Sequence, residues 1–357
     1  MINVTKTYLP HLKKYEKYVE KIFKSGWLTN NGELVRKLQT QLKEYLGIKN
    51  IVLVSNGTLA LQLAYKLLNL KGKVITTPFS FVATVSSQVW EGLSPKFVDI
   101  DKKTFNINPN KIISNINQDT AAIVPVHVFG NSCEVEKIDT ISKDLNLKVI
   151  YDAAHAFGVK YKGESVLNYG DISTLSFHAT KVFHTIEGGA LVMNDDELYH
   201  KAQLMINFGI KCPECIEDLG INAKMNEFQA AMGLCVLEDI DKILEGRKKV
   251  YEYYMNNLPN SLTFQKKNED GTLNYGYFPV VFREEEVLIR VKENLNNEGI
   301  YPRRYFYPSL HELSYIRKQR DVPNSSYISK LILCLPIYYS MELNVAKKIV
   351  EIIKNQI

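Results

Sequence analysis

The sequence predicts a mainly parallel, doubly wound α/β sheet with a smaller α+β unit behind it. Three observations lead there. Hydrophobic residues make up 45% of the 357 residues and charged residues 23%, enough for a sizeable core. Between residues 51 and 193 short apolar runs alternate with segments of helical period, as strands do when helices cover both faces of their sheet. After about residue 235 that alternation stops. The length suits two domains of ordinary size, 1–235 and 236–357.

The elements follow in order. Residues 11–24 carry Leu12, Tyr15, Val19, Ile22 and Phe23 at helical spacing and stop at Ser25-Gly26. A second helix covers Gly32–Leu46, closed by Gly47. Strand Ile51–Val54 runs through Ser55-Asn56-Gly57-Thr58 into helix Leu59–Leu68, and strand Lys73–Thr76 leads to helix Val82–Glu91. Lys96–Asp99, Ala121–Val126, Lys148–Tyr151, Ser173–Phe177 and Ala190–Met193 read as further strands, with a helix near Glu134–Leu145. One long helix, Val236–Leu258, connects the two domains. Strands near Leu262–Gln265 and Tyr277–Phe282, helix Glu285–Glu298, the stretches Tyr301–Pro308 and Leu331–Ile337, and a helix from about Met341 complete the chain.

Composition excludes several classes. The net charge of +5 is mild, only eight of the 44 cationic side chains are Arg, and the Lys are interspersed with Glu and Asp, so nucleic acid is not expected as a partner. No apolar run approaches the ~20 residues needed to cross a bilayer. The N-terminus turns charged within a few residues, unlike a signal peptide, and a cytoplasmic location is the expectation. Five Cys cannot all pair internally. Cys212-Pro-Glu-Cys215 lacks the second ligand pair of a zinc site, so free thiols in a loop and no metal are expected.

In an open parallel sheet ligands bind beyond the carboxyl ends of the strands. There the sequence places Asn56-Gly57-Thr58, a helix start whose free N–H groups suit a phosphate, though a plain helix cap reads the same way. Asp152 ends an apolar strand, where a carboxylate serves as a helix cap, a metal ligand or a partner for a ring nitrogen. Lys181 follows the next strand. A desolvated lysine beside a phosphate seat and an isolated Asp suits Schiff-base chemistry.

Longer stretches carry a resemblance. SGWLTNNG at 25–32, SNGTLAL at 55–61, TPFSFVAT at 77–84, PVHVFGN at 125–131, DAAHAFG at 152–158, SFHATK at 176–181, EGGA at 187–190 and GINAKMNEFQAAMGL at 220–234 are together highly specific. They resemble the DegT/DnrJ/EryC1/StrS sugar-nucleotide aminotransferases, pyridoxal 5′-phosphate enzymes of the aspartate aminotransferase-like fold type I, with a seven-stranded-type sheet.

The resemblance implies roles. Lys181 matches the Schiff-base lysine and proton shuttle, Asp152 the carboxylate on the pyridine nitrogen, and Phe81 the aromatic stacked on the ring. Gly57, Thr58 and Ser176 match phosphate contacts. Asn222 matches an Asn that reaches the partner subunit's phosphate, which implies a homodimer with shared sites. His155 stands where many members have Gln, beside the phenolic oxygen; a neutral His donates one hydrogen bond there, but its charge follows pH. Retention of Lys181 favours transamination over dehydration.

WLTNNG, IYDAAHAFGV and KMNEFQAA most resemble members that pass an amino group from L-glutamate to C4 of dTDP-4-keto-6-deoxyglucose for surface polysaccharide or glycan synthesis, such as lipopolysaccharide O-antigen. Pyridoxamine phosphate links the two half-reactions. Arg303-Arg304 and Tyr307, a guanidinium doublet among aromatics, suit the nucleotide sugar. UDP-linked 4-keto sugars, a dTDP-3-keto-6-deoxyhexose, and a cofactor-binding regulatory protein without turnover are the alternatives.

Overall fold

The computed structural model describes residues 1–317, 319 and 321–357. Seven strands form the central sheet: β1 (Asn50–Val54), β2 (Lys73–Thr76), β3 (Ser94–Phe97), β4 (Thr120–Val124), β5 (Lys148–Asp152), β6 (Ile172–Ser176) and β7 (Gly189–Met193). Their order across the sheet is β1-β7-β6-β5-β4-β2-β3. All neighbours are parallel except β7, which runs antiparallel to both β1 and β6. Strand β1 is buried throughout, and its alternating side chains serve two cores. Ile51 and Leu53 face one; Val52 and Val54 face the other.

The helices are α1 (Leu12–Ser25), α2 (Glu33–Leu46), α3 (Gly57–Leu67), α4 (Ala83–Trp90), α5 (Val135–Asp144), α6 (Asp196–Met205), α7 (Glu227–Glu238), α8 (Ile240–Asn257), α9 (Glu285–Asn297), α10 (Pro323–Leu331) and α11 (Leu343–Lys354). Leu38 and Leu42 of α2 pack with Leu234 of α7 on the first face of the sheet. Leu61 and Ala64 of α3 pack with Met205 of α6 on the second. The later unit is an antiparallel sheet of β8 (Thr263–Phe264), β9 (Phe278–Val281) and β10 (Ile332–Leu335). Val250 and Tyr254 of α8, Leu288 of α9 and Ile349 of α11 cover it.

Four expectations change. The long helix predicted at 236–258 is two helices broken at Asp239, whose carboxylate accepts from Tyr8 Oη at 2.7 Å and pairs with Lys14 at 3.1 Å. Strand β3 starts and ends two residues before the predicted one, because Asp99 instead caps α10, accepting from the Asn324 and Ser325 N–H groups at 3.0 and 2.9 Å. Cys212 and Cys215 are joined to each other and close a hairpin of Ile210–Cys212 and Cys215–Ile216, so they are neither free thiols nor in a plain loop. Ile2–Asn3, assigned with the first domain, pair in parallel with Ile300–Tyr301 of the second.

One contact joins two distant motifs. Glu227, at the first position of α7, is 2% exposed and accepts from the Leu34 and Val35 N–H groups at 2.8 and 3.0 Å. It thereby satisfies two of the free donors at the start of α2. Its own helix is held by a reciprocal cap between Asn226 and Gln229.

Candidate active site

The ends of β1, β5 and β6 and segments 80–83 and 303–306 enclose a cavity of about 280 Å³. Eight of the residues singled out in the sequence line it: Gly57, Thr58, Phe81, Asp152, His155, Ser176, Lys181 and Arg303.

At one end lies the start of α3. Asn56 caps it, accepting from Leu59 N–H at 2.9 Å, and the helix leads with Gly57 and Thr58. A side chain at Gly57 would run into Ser176, with a Cβ only 2.8 Å from Ser176 Cβ, so glycine allows the helix start and the end of β6 to touch. The result is an electropositive helix start flanked by two hydroxyls, a seat for an anion.

Asp152 closes β5 at the other end and is 5% exposed. Thr84 Oγ1 donates to one oxygen at 2.7 Å and Ala154 N–H to the other at 3.1 Å; Ser80 and Thr84 hydroxyls are 2.7 Å apart behind it. Burial raises the Asp152 pKa, while Thr84, the Ala154 N–H and the Lys181 charge oppose the rise.

Lys181 rises from the loop after β6. Burial lowers its pKa to about 8, with Asp152 and Tyr305 working against the shift, so a neutral amine is accessible near physiological pH. Its Nζ donates to Tyr277 Oη at 3.2 Å.

His155 departs from expectation. Burial, with repulsion from Lys181, holds its pKa well below the usual imidazole range, which favours the neutral ring. Phe129, in the left-handed region at φ 58°, turns its N–H onto His155 Nδ1 at 3.2 Å. That contact leaves the proton on Nε2. The ring lies parallel to Phe129 and Phe306, at 6.1 and 5.8 Å between centroids.

Three predicted residues lie outside the cavity. Arg304 turns away, paired with Glu285 at 2.6 Å, donating to Lys330 O, and stacked on Tyr307 at 3.7 Å. The doublet therefore splits: adjacent residues of an extended segment point to opposite sides. Arg303 faces the cavity with its guanidinium 4.6 Å from the Tyr305 ring centre. Tyr307 is 48% exposed and belongs with Arg304. Asn222 is exposed beside Asn207 and does not line this chain's cavity.

Other lining residues were not singled out as site groups. His178 Nε2 stands 3.5 Å from Glu187 at the mouth. Tyr277, the first residue of the strand expected at 277–282, and Tyr305, one of the aromatics around Arg303-Arg304, reach in from segments remote in sequence. His184, which also flanks the lysine, is buried away from the cavity with Nε2 2.7 Å from Tyr8 O.

The donors match pyridoxal phosphate: an amine for its aldehyde, a carboxylate for its ring nitrogen, an N–H donor on His155 for its phenolic oxygen and an anion seat for its phosphate. Fold and site together define a lysine-dependent pyridoxal-phosphate enzyme on a fold type I scaffold. The chain matches the DegT/DnrJ/EryC1/StrS aminotransferase family over residues 11–354 and belongs to that family of pyridoxal-phosphate-dependent sugar aminotransferases. It is 43% identical over 360 residues to a dTDP-4-amino-4,6-dideoxy-D-glucose transaminase of Shigella dysenteriae, covering 99% of this chain and 98% of that one. It is 38% identical to an enzyme of the same name from Escherichia coli, with 99% and 98% covered. Among solved structures, DesI in the presence of its TDP-sugar product superposes with a TM-score of 0.94 at 29% identity, over 99% of this chain and 92% of that one.

Proposed function

We propose that this protein transfers the amino group of L-glutamate to C4 of dTDP-4-keto-6-deoxyglucose, giving dTDP-4-amino-4,6-dideoxyglucose. The observation that carries the chemistry is the Lys181 amine, depressed to about 8 and facing Asp152 across one cavity. The likeness to the Shigella enzyme supports the choice of sugar.

Bound pyridoxal phosphate supplies an aldehyde that captures amino groups and a ring that draws in the electron pair of a breaking C–H bond. This chain's residues do the rest. The α3 start, with Gly57, Thr58 and Ser176, holds the phosphate. Asp152 keeps the ring nitrogen protonated, Phe81 covers one ring face, and His155 donates from Nε2 to the phenolic oxygen. Lys181 Nζ takes the substrate's α-proton as base and returns it as acid. Arg303 receives the anionic part of each substrate, a carboxylate or a diphosphate.

The same reading makes the working unit a homodimer, with Asn222 reaching the neighbouring subunit's phosphate. Exposed Trp27 (56%), Phe208 (49%) and Ile221 (43%) are apolar side chains that a second copy would cover. It places the enzyme in the cytoplasm, supplying an amino sugar for surface polysaccharide or glycan assembly.

The test is the visible spectrum of the cofactor-loaded protein. The yellow band fades with L-glutamate and returns with dTDP-4-keto-6-deoxyglucose, and NMR of the product finds the amine on C4. Return of the band only with a GDP- or UDP-linked sugar, or with a 3-keto sugar, keeps the class and rejects this substrate. A band indifferent to L-glutamate rejects the donor.

A further inference from the structure

Tyr277 immediately precedes β9 and enters the cavity from the later unit. Three sets of contacts fix it. Arg247, 3% exposed on α8, donates from Nη1 to Gly276 O at 3.3 Å and to Ile337 O at 3.1 Å. Asn274 accepts from Gly276 N–H at 3.1 Å and donates to His155 O and Phe157 O at 2.8 and 3.0 Å. The phenol ring itself packs on His155, Phe129 and Tyr305, with centroids 4.6, 5.3 and 5.8 Å away. Packing alone would be served by phenylalanine. The hydroxyl goes to the Lys181 amine, 3.2 Å away.

We propose that Tyr277 is a positioning residue for transamination: its oxygen accepts one Lys181 N–H and so aims the amine's lone pair at the substrate carbon. The inference rests on the reading of Lys181 as the proton-moving group. A neutral amine has two N–H bonds and one lone pair. Anchoring one N–H restricts rotation of a long side chain and leaves the lone pair free; the α-proton then passes to Nζ while its electron pair stays with the substrate carbon and the bound ring. Burial raises the Tyr277 pKa, so the phenol stays protonated throughout. Asp152, His155, His178, Glu187, Arg303 and Tyr305 are the other titratable or charged groups lining the same cavity.

The test uses the full-length apoenzyme and pyridoxal phosphate, following the rate of appearance of the yellow band against pH. Only the neutral amine reacts, so the rate climbs with pH and levels off above the Lys181 midpoint. A hydrogen-bond acceptor favours the ammonium over the amine, so Tyr277→Phe lowers that midpoint by up to about one pH unit. It also lowers kcat by about tenfold or more, with KM for L-glutamate within about twofold. Tyr277→His, whose ring nitrogen ends well short of the phenol oxygen's position, also loses the contact and shows the same lowered midpoint and kcat.

A Tyr277→Phe protein with the wild-type midpoint overturns the proposal, as does one with raised KM and unchanged kcat. If the phenylalanine variant does not fold, a Tyr277→His protein with the wild-type midpoint and kcat overturns it instead. A wild-type apoenzyme that never turns yellow, or a Lys181→Ala protein that does so equally, defeats the reading of Lys181 whatever Tyr277 does.

Discussion

Asp152 illustrates how a residue placed for a ligand sits in tension with the fold that carries it. Its pKa is raised in the folded chain, chiefly by burial. Between the ordinary carboxylate value and that raised value the folded state therefore binds more protons than the unfolded one. Stability falls as pH rises through this window, and the deficit persists above it. Asp152→Asn removes the buried charge. The apo variant is expected to melt at the same or a higher temperature than wild type at pH 7 to 8 by differential scanning fluorimetry, while pyridoxal phosphate binds at least about tenfold more weakly by fluorescence titration. Asp152 was legible because it ends an apolar strand, and Lys181 because it stands in the loop just beyond the next one, where a charged group has no packing role. Arg303 and Arg304 were not separable, since the sequence says nothing about which side of an extended segment faces the cavity. Tyr277 was hidden because its hydroxyl meets Lys181 across 96 residues of chain.

At the scale of elements, strands announced themselves through apolar runs, and helices through period and closing glycines. What escaped notice depends on tertiary partners. The break between α7 and α8 is fixed by Tyr8 and Lys14, more than 220 residues upstream of Asp239. Helix α6 went unread although Asp195 caps it, accepting from the Glu197 and Leu198 N–H groups. Glu227 ties α7 to the start of α2 and explains why the TNNG and KMNEF motifs belong together. Glu227→Ala leaves two buried N–H groups without an acceptor and is expected to cost about 2–4 kcal/mol of stability in urea unfolding followed by circular dichroism. Glu227→Gln keeps one good acceptor and loses about half as much.

For the whole molecule, the shared-site reading gives a test by mixing. Lys181→Ala and Asn222→Ala homodimers are each expected to be nearly inactive. Refolded together in equal amounts, half of the dimers are mixed, and each mixed dimer holds one site with both residues intact. Activity then recovers to about a quarter of wild type. Recovery close to zero, with mixed dimers shown by native mass spectrometry, places Asn222 in its own subunit's site. The division expected at 235–236 falls inside α7 (Glu227–Glu238), and Ile2–Asn3 pair with Ile300–Tyr301 from the far side of it.

The single antiparallel strand has a consequence in time. In the sheet, β1 lies at the edge and its one neighbour is β7. The anion seat begins at the end of β1, so it has no sheet partner until residues 189–193 have been synthesised and inserted. Pairing so distant in sequence is slow, because a long loop must close before any contact repays it. Until then the strand that leads into the seat is unpaired, so a bound cofactor acts as a late clamp on folding, stabilising most the chains that have completed the insertion.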